Sequence, residues 1–322
     1  MRSVLSRRDF LARASYAGAL LTVARPGRAA NQSGSAAVGG MYVSLNGSLI
    51  QQKPPLSWPD FVKLAGRLGY GGVDVNFNAA RTAGVDATRA LFAEAKVKPA
   101  VSNLPLQFAG PDEAVFQEAL KQLDEHAKFA AAIGLGRMMA VMSPGSQTPK
   151  EERRRFVKDR LVAISEVLQR SNIRLGLEFL GPLYMRMNER SPYQFIWTLP
   201  ETVALANECG PNIGAVLDAW HWHHSGGSTA DIIAAGKSRI VHVHVSDAKP
   251  APPEDVRDNH RHMPGEGVID LLGFFQALKQ IGYEDGVSPE PLGRIPPDMP
   301  AEDSARLGLE TTLTVMKKAG VI

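Results

Sequence analysis

From Gly40 onward the chain alternates between two hydrophobic periods. A short apolar run closes on a polar residue, a loop follows, and then comes a stretch with apolar positions three and four apart. The first pattern belongs to a buried strand and the second to an amphipathic helix. The runs at 41–46, 72–76, 98–103, 137–141, 173–178, 213–218, 240–245 and 286–290 predict eight strands. Between them, Leu120, Leu123, Ala127 and Ala130 stripe one helix. Phe156, Leu161, Ile164 and Leu168 stripe a second, and Phe274, Leu278 and Ile281 a third. Strict alternation of strand and helix predicts a parallel sheet. Eight such units predict a single-domain α/β fold, a closed (β/α)8 barrel of the TIM type. An open doubly wound sheet fits less well, because no strand leads into a glycine-rich phosphate loop.

Barrels of this kind keep their chemistry at the carboxyl ends of the strands. The last four runs end in Glu178, Asp218, His244 and Glu290, and the first four in Asn46, Asn76, Asn103 and Met142. Side chains alternate along a strand. In IVHVHV, Val241, Val243 and Val245 are therefore expected to face the helices, and His242 and His244 the barrel axis. His244 falls at the mouth; His242, one layer deeper, is expected to be a hydrogen-bonded core group. Gly176 and Gly214 are expected beneath Glu178 and Asp218, leaving room for neighbouring side chains. Three carboxylates brought together raise one another's pKa, and a divalent cation removes that cost. One nitrogen and three oxygen donors suit Mn²⁺, Co²⁺, Mg²⁺, Fe²⁺ or Zn²⁺, so one divalent metal ion is the expected cofactor.

Composition narrows the picture. Cys209 is the only cysteine, which excludes an intrachain disulfide and a cysteine-built zinc cage. The net charge is +3, part of it within the first 28 residues, so no nucleic-acid footprint is expected. The segment SRRDFLA places Arg7 and Arg8 before a modest apolar stretch, 17–24, and resembles a twin-arginine export signal. That stretch is too short to span a bilayer, so no stable membrane insertion is expected. Residues 1–37 are read as signal and linker and 38–322 as the barrel, in a protein exported to the periplasm. An oxidising compartment also fits the near-absence of thiols.

Five segments, in order and on the expected strands, resemble the xylose isomerase-like superfamily of sugar isomerases and epimerases. The resemblance lies closest to the branch with ketose 3-epimerases, inosose-processing enzymes and apurinic endonucleases. LGLEFLGP resembles the segment with the first glutamate ligand, and VLDAWHW the aspartate ligand followed three residues later by a substrate-binding histidine. VHVHVSDA resembles the His-x-His strand whose second histidine binds metal. RHMPGEGVID resembles the loop with an arginine three residues before Pro-Gly-x-Gly, and SPEPLG the last glutamate ligand. The resemblance implies Glu178, Asp218, His244 and Glu290 as metal ligands, with His221 and Arg261 contacting a sugar or keto-sugar substrate. It also implies association into a homo-oligomer. Trp220 and Trp222 are expected to offer an apolar wall to the sugar, and Asn103 and Asn46 to meet its hydroxyls. His223 and His224 are expected to be solvated loop residues. The long loops 181–199 and 246–268 are expected to set substrate choice.

The reaction implied is proton transfer beside a ketone. Glu178 or Glu290 removes the proton to give a metal-bound enediolate. Its return from the opposite face epimerises, and its delivery to the next carbon isomerises. A leaving group beta to the carbanion would instead make the enzyme a lyase or hydratase on 3-keto-glycosides, sharing the same first step. A non-catalytic exported sugar-binding barrel is the alternative from another class. A DNA-repair endonuclease would need histidines from early strands, whereas the first histidine is His126, within a helical stretch.

Overall fold

In the computed structural model, which describes residues 40–322, eight parallel strands stand side by side. They are β1 (Tyr42–Leu45), β2 (Gly72–Val73), β3 in two pieces (Lys98–Pro99 and Ser102–Asn103), β4 (Arg137–Met142), β5 (Arg174–Phe179), β6 (Ile213–Asp218), β7 (Ile240–Val245) and β8 (Gly286–Pro289). Each strand pairs with its neighbour in sequence, and β1 also pairs with β8. The first piece of β3 pairs with β2 and the second with β4. The ring closes across this join, where Ala100 N donates to Val73 O at 2.9 Å and Val75 N to Val101 O at 2.7 Å. The expected (β/α)8 TIM barrel is the observed fold. The twin-arginine motif and the apolar stretch after it lie outside the described residues.

Parallel strands covered on both faces carry near-continuous apolar runs, and every residue of β6 and β7 is buried. Helices ring the strands, and several start on side-chain caps: Ser57 accepts from Asp60 N, and Asp112 from Val115 N. Each such cap satisfies one of the free N–H groups of a first turn. The predicted stripe Leu123, Ala127 and Ala130 is buried on the helix Glu113–Ala132. Inside the barrel, Val101, Met139 and Val216 form a small cluster separate from the main core between strands and helices.

Two local expectations need correction. The pairing of β7 with β6 shifts between Ile240 and His242. Val241 is thereby turned against the inner side, where Cβ atoms built on Gly176 and Gly214 would meet it at 3.1 and 2.9 Å. It does not share the helix-facing side with Val243 and Val245, which join the main core. Likewise His223 and His224 are not in a loop. The segment after β6 coils into a short helix, Ala219–His224, whose N-cap is Asp218. No helix among the described residues is long and apolar enough to cross a membrane.

Candidate metal centre

The strand register assembles the site. β7 sets His244 beside Asp218 on β6 and beside Ser288 on β8. Glu290 follows two residues later, and Glu178 lies near the end of β5. One ligand atom from each of Glu178, Asp218, His244 and Glu290 lies within 4.8 Å of every other. His244 Nδ1 is the hub, at 3.0 Å from Glu178 Oε1, 3.3 Å from Glu290 Oε2 and 3.9 Å from Asp218 Oδ2. Donors that each stand about 2.0–2.2 Å from one ion have spacings of this order. The sequence-predicted set therefore converges, and its chemistry fits a hard or borderline divalent cation.

Two of the ligands, Asp218 and Glu290, are held from behind. Asp218 Oδ1 accepts from Trp220 N at 2.7 Å and His221 N at 3.1 Å, the free amides of the helix it caps. Its Oδ2 accepts from Arg261 Nη1 at 2.7 Å. The same Nη1 donates to Glu290 Oε2 at 3.1 Å, while Nε and Nη2 donate to Asp258 Oδ1 at 2.9 and 2.6 Å. The loop carrying Arg261 hangs on Asp247, whose carboxylate accepts from the amides of Ala248, Gly265 and Ile269. This explains the glycines of Pro-Gly-Glu-Gly. Gly265 has φ +88, and a Cβ on Gly267 would lie 2.2 Å from Ala248 O.

The electrostatics follow from this packing. Burial favours the uncharged form of every carboxyl here. At Glu178 burial prevails and raises the carboxyl above its ordinary value. At Asp218 burial is outweighed by Arg261 and the nearby histidines, which hold it well below the usual range. Burial is outweighed at His244 too, where Glu290 and Glu178 raise the imidazole well above its ordinary value. His221 goes the other way. Burial lowers it to about 3, so its Nε2 is free to accept from Arg261 Nη2 at 3.1 Å.

The remaining predicted site residues take distinct places. A cavity of about 730 Å³ opens over the ends of β1, β2 and β3, and reaches the ligand cluster at His244 and Glu290. Asn103 and Asn46 line it. His221, Arg261 and Trp220 do not: each is nearly fully buried behind the ligands, with the Arg261 guanidinium 4.9 Å from the centre of the Trp220 ring. Trp222 is buried against Phe274. Arg186 lies over the Trp197 ring and donates to Gly181 O and His224 O.

Sequence reasoning missed Asp74, which sits one layer below Asn76 in the cavity floor. Its carboxylate accepts from Ser44 Oγ and Ser288 Oγ, each at 2.8 Å, and from Asn46 Nδ2 at 2.9 Å. Burial pushes it up to about 6 in spite of these bonds. Ser288 gives its one proton to Asp74, so His242 Nε2–H must donate to Ser288 Oγ, at 2.8 Å. His242 is thus the hydrogen-bonded core group expected of it. The signal available was an acid inside an apolar run, GVDVN, on the same side as Asn76.

The family described as xylose isomerase-like TIM barrel matches residues 62–314. An inosose isomerase of Bacillus velezensis is 26% identical over 224 residues, covering 69% of this chain and 77% of the relative. An L-ribulose-5-phosphate 3-epimerase of Escherichia coli is 29% identical over 175 residues, covering 53% of this chain and 55% of the relative. The solved structure of an IolI protein with a bound zinc atom superposes with a TM-score of 0.73 at 23% identity, over 87% of this chain and 99% of that one.

Proposed function

Because this chain belongs to the xylose isomerase-like TIM barrel family, we propose that it is a divalent-metal-dependent sugar isomerase or epimerase that moves a proton on the carbon beside a ketone. The observation that carries this reading is the convergence of Glu178, Asp218, His244 and Glu290 within 4.8 Å at the edge of a cavity. Relatives with isomerase and 3-epimerase activities support it, and the zinc bound by the IolI structure supports a divalent metal in this fold without fixing its identity here.

Those four side chains would hold the ion. When bound, a divalent cation supplies Lewis acidity that lowers the pKa of the carbon beside the ketone. The chain's own residues do the rest. Glu290 faces the cavity, so its carboxylate is placed to take or return a proton on that side. Glu178, anchored by His244, is the partner carboxylate for the other face. Asp218 is held ionised by Arg261 and serves only to bind. Asn46 and Asn103 offer amides to sugar hydroxyls.

The test is exchange with solvent. Protein loaded with Mn²⁺ and incubated in D₂O with ketohexoses should place deuterium at the carbon beside the ketone, seen by NMR, and Glu290→Gln should slow this by about 10²–10⁴-fold. Exchange that persists unchanged in both Glu178→Gln and Glu290→Gln removes the mechanism. With a 3-keto-glycoside, deuterium incorporation with an intact glycosidic bond assigns epimerase or isomerase, and release of the aglycone assigns the lyase. We also propose export through SRRDFLA. Fractionation of cells expressing the Arg7→Lys, Arg8→Lys chain should find it retained in the cytoplasm, and unchanged export refutes the assignment.

A further inference from the structure

The cavity is far from uniform. Its floor is polar where it meets the ligand cluster: Asn46, Asp74, Asn103, His244 and Glu290. Apolar side chains from segments beyond the strands, Ile50, Leu56, Trp58, Phe61 and Leu104, also line the cavity. Trp58 and Phe61 stack there with ring centres 6.0 Å apart and planes 22° apart. Among the described residues no lysine or arginine lines the cavity, and its only ionisable side chains are Asp74, His244 and Glu290.

A phosphate group brings about −1.5 to −2 charges and wants arginine, lysine or free helix amides. The cavity lining offers neither lysine nor arginine. The short helix that begins in this lining, Phe77–Ala83, has Ala79 N already taken by Asn76 Oδ1 at 3.1 Å. Asp74, which has no lysine or arginine partner in the lining, would repel an anion. The volume of about 730 Å³ lies within the roughly 300–1,000 Å³ of sites that enclose drug-sized molecules, larger than one sugar ring needs. A lining that offers both polar groups and a set of apolar side chains asks for a ligand with both characters.

We infer that the substrate is an uncharged sugar carrying an apolar substituent. The ring lies over Asp74, His244 and Glu290, and the substituent rests against Leu56, Trp58 and Phe61. Asp74, whose carboxylate is held by three donors, is an acceptor for sugar hydroxyls on the side away from Asp218. This inference rests on the sugar isomerase or epimerase reading and names the substrate class of that site. It sets the chain apart from its phosphate-acting relative.

Binding tests it without turnover. Calorimetric titration of the full chain with phenyl β-D-glucoside, glucose and glucose 6-phosphate should show the phenyl glucoside binding at least tenfold tighter than glucose. Glucose 6-phosphate should bind at least tenfold more weakly than glucose. Leu56→Ala, a partly exposed position that folding tolerates, should narrow the phenyl preference. Trp58→Phe should remove the tryptophan fluorescence change caused by the phenyl glucoside. Equal or tighter binding of the phosphate overturns the inference, and so does the absence of a phenyl preference or of any binding. Solvent exchange on keto-sugars is measured separately. A phenyl preference without exchange on any of them leaves the substrate class standing and removes the proton-transfer reading instead.

Discussion

Arg261 shows how one side chain can serve the site without touching the cavity. It is 2% exposed and its guanidinium is shared among Asp218, Glu290 and Asp258. Removing one partner from a buried ion cluster strands the others, at a cost of about 3–5 kcal/mol. Arg261→Met should therefore lower the melting temperature of chelator-treated protein. Adding Mn²⁺ should recover more stability in the variant than in the parent, because the stranded carboxylates gain more from a cation. Parallel thermal melts with and without Mn²⁺ check this, and an equal gain in both proteins removes Arg261 from the charge balance. At this scale the four ligands were legible because each closes an apolar run near a strand end. Asp74 was not, because it lies within its run and its role depends on Ser44, Asn46 and Ser288, which only the closed barrel brings together.

Among elements, the strands from β4 to β8 were legible to within a residue or so, since burial on both faces leaves long apolar runs. β3 was read as one strand, yet it breaks where it changes partner from β2 to β4. The bulge in β7 was invisible, because a register shift depends on the neighbouring strand and not on the valines themselves. The loop after β5 and the helix Ala219–His224 are fitted to each other: a Cβ on Gly181 would stand 2.0 Å from His221 O and 2.8 Å from Ser225 N. Gly181→Ala should cost about 1–3 kcal/mol by overpacking. It should also weaken metal binding, because the helix it displaces is capped by Asp218; metal affinity equal to the parent's sinks this coupling. A second element contact is pH-sensitive. His126, on the helix Glu113–Ala132, accepts from Arg81 Nη1 at 2.7 Å, and burial first, then Arg81, lowers its pKa. The unfolded chain binds that proton first as pH falls below about 6.5, so stability is lost below that point and unaffected above it. His126→Gln keeps an acceptor for Arg81 and cannot titrate. Its melting temperature should fall less than the parent's between pH 7 and pH 5, and parallel melting curves refute the assignment.

Across the whole molecule the two halves of the barrel divide the work. β5 to β8 carry the ligands, and the ends of β1 to β3 carry most of the cavity. The first half announced little in sequence, since asparagines and apolar loop residues form no motif, whereas ligand spacing does. The division has a thermodynamic consequence. An ion held by four strands binds only the folded chain, because the unfolded chain cannot bring Glu178 and Glu290 together. At a hundred times its dissociation constant such an ion adds about 2.7 kcal/mol, or roughly 5 °C at about 2 °C per kcal/mol for a domain of this size. Mn²⁺ should raise the melting temperature by that order, EDTA should reverse it, and Glu178→Gln should remove most of it, while Asn103→Ala, across the cavity and outside the ligand set, should leave it intact. A rise that survives in Glu178→Gln would place the ion elsewhere, and with it would go the argument that strand register alone builds this centre.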